Sequence, residues 1–231
     1  MNLKKPIKEI ESILGYKFKN KNNLINALVH PSYLQEKKNY KINVNEFERL
    51  EFLGDRVLGI SISYLIFKKF NFYNEGKLTK KLSYLVQRDF LYKISIKLKF
   101  EKILKYYYKK NSSRINKSIF ADSVEALIGS IFIDGGYSSS FKFIKKVWEP
   151  YLDLEESNLQ DPKTRLQEIS QKKYKILPEY KLLKKDGPPH SPKFTISLKA
   201  LNMKSVKASG ESIRDAEKNA AKIILDKLSA E

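Results

Sequence analysis

The sequence predicts two domains, an all-α domain followed by a small α+β domain. Across residues 1–152, apolar residues recur at helical spacing in six segments, at 7–14, 22–29, 45–69, 77–98, 117–133 and 138–152. Beyond residue 160 the period changes, because Phe194, Ile196 and Leu198 alternate with polar residues as they do in a half-buried β-strand.

The domain boundaries follow from the polar stretch 153–160, which separates the two patterns and is typical of a connector. We therefore expect a helical domain at 1–154, a linker at 155–160 and a second domain at 161–231. Asp161 and Pro162 mark the start of a helix. Three strands and a last helix are expected to follow it, at 179–184, 193–199, 205–209 and 212–228, which gives the order α-β-β-β-α.

The composition favours a polyanionic partner. The 231 residues carry a formal net charge of +19, although a chain rich in Lys, Asn and Ile is also typical of an AT-rich genome. The absence of cysteine excludes disulfides, thiolate nucleophiles and zinc–sulfur sites. No apolar run reaches the roughly 18 residues that a membrane span requires, and the amino terminus lacks a signal-peptide core. We therefore expect a cytoplasmic protein with no membrane partner.

Five carboxylates lie at helical spacing within two of the apolar segments. Glu48, Glu51 and Asp55 share one face of the first helix, and Asp122 and Glu125 share one face of the second. Like charges at this spacing repel by roughly 0.2–0.5 kcal/mol per exposed pair, and by more where they are buried. A cation between them would remove that cost. Oxygen ligands without thiols favour a hard ion, Mg²⁺ or Mn²⁺.

The alternative is that these acids form solvated helix faces, which is the common role of a Glu-x-x-Glu pair. The surrounding sequence argues against it, because both helices are apolar nearly all round and are expected to be buried. Gly54, Gly59 and Gly129 each cost roughly 1 kcal/mol in a helix relative to Ala. Their missing side chains would let the two helices approach closely, so the two acidic faces are expected to share one site.

Four strings in the first domain resemble bacterial ribonuclease III. They are ALVHPSY at 27–33, ERLEFLGD at 48–55, EGKLT at 75–79 and ADSVEALIG at 121–129, and their order is that of the family. In the second domain, DPKTRLQE at 161–168 and ASGESIRDAEKNAA at 208–221 resemble the double-stranded RNA-binding domain. The resemblance implies the same two-domain fold that the periodicity predicts.

The resemblance implies a metal-binding core of four carboxylates, which are Glu51, Asp55, Asp122 and Glu125. Asp55 and Glu125 would be its most catalytic members. The resemblance also makes Glu75 an auxiliary acid that supports the site. Glu48 shares the helical face of the core, but it would lie outside the direct ligands and pair with a basic group.

The second domain would bind duplex RNA, which proteins recognise through its shape, phosphates and 2′-hydroxyls. By resemblance, minor-groove contacts come from the first helix and the loop at 186–193, and phosphate contacts come from the start of the last helix. The residues concerned are Thr164, Gln167, Glu168, His190, Arg214 and Lys218. Ile213 and Asp215 stand where this domain is often basic, so weaker phosphate binding than usual is expected.

The activity that the resemblance implies is Mg²⁺-dependent hydrolysis of double-stranded RNA, with Mn²⁺ as a substitute. The family works as a homodimer in which each copy cuts one strand, so the products would be 5′-phosphate and 3′-hydroxyl ends with short 3′ overhangs. The expected substrates are ribosomal RNA precursors and some messenger RNAs. Pro31, Arg56 and Leu82 depart from the residues usual in the family, and Arg56 is expected to point away from the metal.

Two other functions fit parts of the pattern. A non-catalytic RNA-binding protein on the same scaffold would lack the core carboxylates, and all four are present. A hydrolase of small phosphoesters would have no need of an RNA-binding domain. Catalysis by a Ser–His pair is disfavoured, because His30 and His190 fall in different predicted domains.

Overall fold

The computed structural model of the chain describes residues 3–36, 44–107, 117–154, 161–188 and 192–228. It consists of two compact units, Met1–Leu154 and Glu155–Glu231. The expected linker at 155–160 lies outside the described residues. The expected fold class is confirmed, since the first unit is helical and the second combines two helices with a three-stranded sheet.

The helical unit contains eight described α-helices and a closing 3₁₀ turn at Glu149–Tyr151. In chain order the helices are α1 Ile7–Leu14, α2 Lys21–Ala27, α3 Pro31–Glu36, α4 Val44–Lys69, α5 Glu75–Val86, α6 Arg88–Lys97, α7 Phe100–Ile103 and α8 Lys117–Trp148. The long helices α4 and α8 pack along each other, and α2, α5 and α6 cover them.

One expected helix is divided in the structure, and two expected helices are joined across a kink. The segment 77–98, expected as one helix, is divided at Gln87, whose backbone is extended at φ −67° and ψ 154°. The apolar spacing continues across Gln87, so periodicity alone does not reveal the break. The segments 117–133 and 138–152, expected as two helices, belong to the single helix α8, which is kinked between them at Gly136, where φ is 72° and ψ is −178°.

The centre of the unit is a contact between the backbones of α4 and α8. A Cβ atom added at Gly54 would lie 1.8 Å from the carbonyl oxygen of Glu125, and one added at Gly129 would lie 2.1 Å from that of Leu50. Only glycine allows this approach. Gly59 was expected to allow a close approach of the helices as well. That expectation is wrong, because a Cβ atom at Gly59 would meet nothing within 4 Å.

The expectation that α4 is buried all round is also wrong. One face is buried, as Leu50, Val57 and Ile62 show. The opposite face carries exposed apolar side chains, which we call the α4 stripe: Phe52, Ile60, Tyr64 and Phe67. Phe52 and Phe67 are each 66% exposed. An apolar helix can leave one face uncovered within a single chain when that face has a use outside it.

The second unit has the expected order of elements, α9 Pro162–Tyr174, β1 Glu179–Asp186, β2 Lys193–Lys199, β3 Val206–Gly210 and α10 Ile213–Leu228. The strands form one antiparallel sheet in the order β1-β2-β3. Both predicted helix starts are confirmed: Asp161 accepts from the Lys163 amide at 3.0 Å, and the Ser212 hydroxyl accepts from the Asp215 amide at 3.1 Å.

The alternation of β2 gives this unit its core. Ile196 and Leu198 are buried, and Leu198 packs with Leu166 of α9 and Ile224 of α10. The helices therefore cover one face of the sheet. Within the described residues, no helix combines the length and the apolar character that crossing a membrane requires.

Gly129→Ala should destabilise the helical unit, because the new methyl group would overlap the backbone of α4. We expect a loss of about 2–3 kcal/mol, the usual cost of forcing extra volume into a packed core. Chemical denaturation followed by Trp148 fluorescence measures it, since this single tryptophan is fully buried in the helical unit.

Gly76→Ala is the matched control. Its Cβ atom would meet only the Asn74 side chain, at 3.8 Å, and Ala is favoured over Gly in a helix by up to about 1 kcal/mol. Its stability should be unchanged or slightly raised. Equal losses in the two variants would contradict the backbone contact.

Candidate metal centre and RNA interface

Three acidic side chains from α4 and α8 meet at one place. Carboxylate oxygens of Glu51, Asp122 and Glu125 all lie within 4.8 Å of one another. Each of the three side chains is part-buried. We call this group the carboxylate cluster.

The backbone contact between the helices positions the cluster. Glu51 follows Leu50, whose carbonyl oxygen faces Gly129, and Glu125 contributes the carbonyl oxygen that faces Gly54. The two acids are therefore held on backbone segments that touch. Buried Phe47, Leu50 and Ala126 pack together beside them and keep that side of the interface apolar.

Burial and mutual repulsion disfavour the charged forms of the cluster. Burial, together with the negative charges of Asp55, Glu51 and Asp122, raises the pKa of Glu125 to about 8 from its ordinary 4.5. Burial raises the pKa of Asp122, and burial together with Asp122 and Glu48 raises that of Glu51. A cation bound among these oxygens would reverse this effect.

The donor set fits a hard divalent cation. It offers carboxylate oxygens alone, which suit Mg²⁺, Mn²⁺ or Ca²⁺ rather than metals that prefer thiolates. Mg²⁺ keeps several of its waters and needs only a few protein ligands, so three carboxylates suffice.

Asp55 lies outside the carboxylate cluster. Its carboxylate pairs with the guanidinium of Arg56, which lies 5.3 Å above the ring of Phe52. Asp55 is nevertheless near enough to raise the pKa of Glu125. Arg56 therefore contacts an acid of the predicted core, and the assignment of Asp55 as a ligand stays a prediction.

The two outlying acids are exposed. Glu48 lies one turn before Glu51 on α4 and contributes to the raised pKa of Glu51. Glu75 is the first residue of α5, and its carboxylate accepts a hydrogen bond from the Thr79 hydroxyl at 2.9 Å. The auxiliary roles of both residues stay predictions.

Arg88, at the start of α6, is a residue that the sequence analysis missed. Its positive charge acts on all three acids of the carboxylate cluster and opposes the rise in their pKa that burial causes. The 77–98 segment gave no signal for it, because its apolar spacing predicts one unbroken helix. Arg88 directly follows the break at Gln87, as the first residue of α6.

The other two departures from the family's usual residues are on α3 and α5. Pro31 begins α3. Leu82 of α5 lines an apolar groove beside the α4 stripe.

In the second unit, the predicted minor-groove residues Thr164, Gln167 and Glu168 are all exposed on α9. Their spacing of three and four residues places them along one helical face. The predicted contact at His190 lies outside the described residues.

The basic residues near the start of α10 are partly engaged by acids. Lys218 pairs with Asp161 at 2.7 Å, and Lys163 pairs with Glu217 at 2.7 Å. Arg214 is exposed. Pairing of this kind reduces the charge available to phosphate, which agrees in direction with the expected weak phosphate binding.

Comparison with known proteins identifies the family. A family profile described as Ribonuclease-III-like matches residues 20–151, and one described as Double-stranded RNA binding motif matches residues 162–228. A protein of Rickettsia felis called Ribonuclease 3 is 39% identical over 95% of this chain and 97% of its own length. The chain belongs to the ribonuclease III family.

Further relatives agree with this assignment. A Wolbachia protein called Ribonuclease 3 is 39% identical, covering 95% of this chain and 90% of its own length. The solved nuclease domain of ribonuclease III from Campylobacter jejuni is 34% identical, with a TM-score of 0.55, and covers 63% of this chain and 97% of its own. The expected family and enzyme class are thus confirmed: the chain is a ribonuclease III endoribonuclease with a double-stranded RNA-binding motif.

The raised pKa of Glu125 predicts how pH affects stability in the absence of divalent metal. The folded chain retains a proton up to about pH 8 that the unfolded chain releases near pH 4.5. The contribution of this proton to the free energy of unfolding is fully present below pH 4.5, the pKa in the unfolded chain. It is lost as pH rises through 8, the pKa in the folded chain. The difference in the free energy of unfolding between Glu125→Gln and wild type should therefore shift in favour of the variant as pH rises from 5 to 8. We expect a shift of about 1–2 kcal/mol after allowance for solvent screening.

Denaturation in EDTA at several pH values, followed by Trp148 fluorescence, measures this difference. Glu149→Gln serves as the control, because its carboxylate is exposed near the end of the helical unit. Parallel pH profiles for wild type and Glu125→Gln would show that Glu125 titrates normally.

Proposed function

We propose that this ribonuclease III uses Mg²⁺ at the carboxylate cluster to hydrolyse phosphodiester bonds in double-stranded RNA. The observation that carries the proposal is the meeting of Glu51, Asp122 and Glu125 between two helices in backbone contact, in a chain with a double-stranded RNA-binding motif. Repelling carboxylates are costly to assemble in this way. A binding protein without catalysis has no need of that cost.

The residues of the cluster divide between holding the ion and completing the site. Glu51, Asp122 and Glu125 are the proposed ligands, with Asp55 as the fourth acid of the core. A divalent cation there would neutralise phosphate oxygens and lower the pKa of a bound water. Attack of that water on phosphorus with loss of the 3′-oxygen would leave 5′-phosphate and 3′-hydroxyl ends. Mn²⁺ has the same ligand preferences and should substitute. Glu75 and Glu48 remain proposed auxiliary acids at its edge.

The two units divide the work. We assign the chemistry to residues 1–154 and duplex binding to residues 161–231, joined by a linker at 155–160. Thr164, Gln167, Glu168 and His190 would contact the minor groove, whereas Arg214 and Lys218 would contact phosphate. The exposed face of α9 supports the first part of this assignment.

The α4 stripe supports a homodimer. The stripe runs from Phe52 to Phe67, about 22 Å along the helix, and its midpoint falls between Gly59 and Ile60. An apolar groove of about 360 Å³ lies at the Phe67 end, between α4 and α5. Pairing two α4 helices antiparallel about that midpoint brings each Phe52 to the groove of the other copy.

This pairing is self-complementary, as two-fold symmetry requires. It also explains Gly59, whose missing side chain leaves room at the axis where the two helices cross. The solved nuclease domain from Campylobacter jejuni is described as flexible in a region involved in dimer formation. Two copies would supply two carboxylate clusters, one for each strand of a duplex, and short 3′ overhangs would follow from the offset between them.

Ribosomal RNA precursors and some messenger RNAs are the substrates we propose, and the cytoplasm, where such transcripts are made, is the proposed location. These substrates suit a chain with a net charge of +19 whose RNA-binding motif would recognise the shape of the duplex more than its base sequence.

Glu125→Gln should abolish cleavage while leaving duplex binding nearly unchanged, because it removes a ligand of the ion but no charge from the RNA-binding unit. We expect a fall in rate of at least about 10³-fold. The assay uses an end-labelled RNA duplex with Mg²⁺, with Mn²⁺ and with EDTA, beside single-stranded RNA and duplex DNA.

Glu149→Gln is the control in this assay, as a neutralised exposed acid outside the cluster, and it should cleave like wild type. Metal-dependent cleavage of duplex RNA alone supports the proposal. Cleavage by Glu125→Gln at the wild-type rate in excess Mg²⁺ would refute the metal assignment. Tight binding by wild type without cleavage would favour a binding protein.

Ile60→Glu should dissociate the dimer, because two-fold pairing brings the two new carboxylates close together near the axis. We expect the dimer dissociation constant to rise by at least about tenfold. Ile133→Glu is the matched control, since Ile133 is 58% exposed but lies on α8, outside the stripe. Sedimentation velocity measures both, and equal behaviour of the two variants would remove the α4 stripe from the interface.

A further inference from the structure

The start of α6 lies beside the start of α8, the helix that carries two acids of the cluster. Asp89 pairs with Lys117 at 2.9 Å, and the rings of Tyr92 and Phe120 meet at 5.8 Å. These contacts fix the first turn of α6 against the first turn of α8. Arg88 directly precedes Asp89, and Asp122 of the carboxylate cluster lies two residues after Phe120, so these contacts bring the start of α6 near the cluster.

Arg88 is close to the acids but is not bound to any of them. Its side chain is exposed, and it makes no ion pair with any residue in the described part of the chain. Its charge nevertheless acts on Glu51, Asp122 and Glu125 together. A guanidinium carries five N–H donors in a rigid fork that matches phosphate geometry. A guanidinium beside the cluster is therefore suited to the phosphate that the proposed function places there.

We propose that Arg88 is a catalytic residue that binds a non-bridging oxygen of the scissile phosphate. This inference rests on the proposed function of the carboxylate cluster. In the reaction a water oxygen bonds to phosphorus, and the bond from phosphorus to the 3′-oxygen breaks. The attacking water gives up one proton, and the leaving 3′-oxygen gains one. Arg88 stays protonated throughout and stabilises the negative charge that develops on the non-bridging oxygen.

The competing role for Arg88 is a structural one, as a counter-charge that keeps three repelling carboxylates together. The two roles predict opposite effects on metal binding. A counter-charge holds the acids in place, so its loss would weaken metal binding. If Arg88 instead binds the phosphate, its positive charge only opposes the metal ion at the acids. Its removal then leaves metal binding unchanged or tighter, and the loss appears in the rate of cleavage.

The test compares wild type, Arg88→Gln, Arg88→Lys and Lys93→Gln on the full chain. Lys93→Gln removes one charge from the same helix at a side chain that lies 4.9 Å from the Tyr151 ring. Single-turnover cleavage of an end-labelled RNA duplex is measured at saturating Mg²⁺ and enzyme, and Mn²⁺ binding is measured by the loss of the free-ion electron paramagnetic resonance signal. Trp148 fluorescence verifies folding.

We expect Arg88→Gln to lower the single-turnover rate about 100-fold, the usual effect of removing one donor to a developing oxyanion. Arg88→Lys should recover part of that loss, Lys93→Gln should match wild type, and Mn²⁺ should bind Arg88→Gln at least as tightly as wild type.

A rate for Arg88→Gln within threefold of wild type would overturn the inference, and so would weaker Mn²⁺ binding by that variant. Either result leaves the proposed function standing if wild type cleaves duplex RNA. Wild-type protein that cleaves no duplex in Mg²⁺ or Mn²⁺ overturns both.

Discussion

The contact between the bare backbones of α4 and α8 is the constraint on which the helical unit depends. At Gly54 and Gly129 each helix presents a glycine to a carbonyl oxygen of the other, at separations that no Cβ atom could share. The same contact fixes how far Glu51 stands from Glu125. A substitution that separates the two helices is therefore expected to lower the stability of the unit and to move the acids of the carboxylate cluster apart.

Helix α4 serves three purposes on three faces. One face carries the glycine and apolar side chains that pack on α8, a second carries Glu51 and Asp55, and a third carries the exposed α4 stripe. This division explains why α4 is apolar nearly all round and yet is not buried all round. A helix within a single-chain core would need only one apolar face, so the third face is the feature that a second copy of the chain accounts for.

The sequence allowed much of this to be predicted. The spacing of five carboxylates inside apolar helices predicted that the acidic faces of α4 and α8 share one site, and Glu51, Asp122 and Glu125 do meet there. The alternation of Phe194, Ile196 and Leu198 predicted the second strand of the small domain. Periodicity averages over several residues, so it missed the break at the single residue Gln87, and with it the position of Arg88. It also cannot tell an apolar face that packs within the chain from one that does not, which is why Phe52 and Ile60 were expected to be buried.

The distribution of charge explains why an acidic centre belongs in so basic a chain. A net charge of +19 draws RNA toward the protein at long range. At short range the carboxylate cluster repels the phosphate that must enter it, and burial strengthens that repulsion. Only local positive charge can overcome it at the reacting phosphate. In the proposed function a divalent ion would supply that charge among the carboxylates and Arg88 would supply it beside them. Long-range attraction would then bring the duplex close, and these two charges would determine where it is cut.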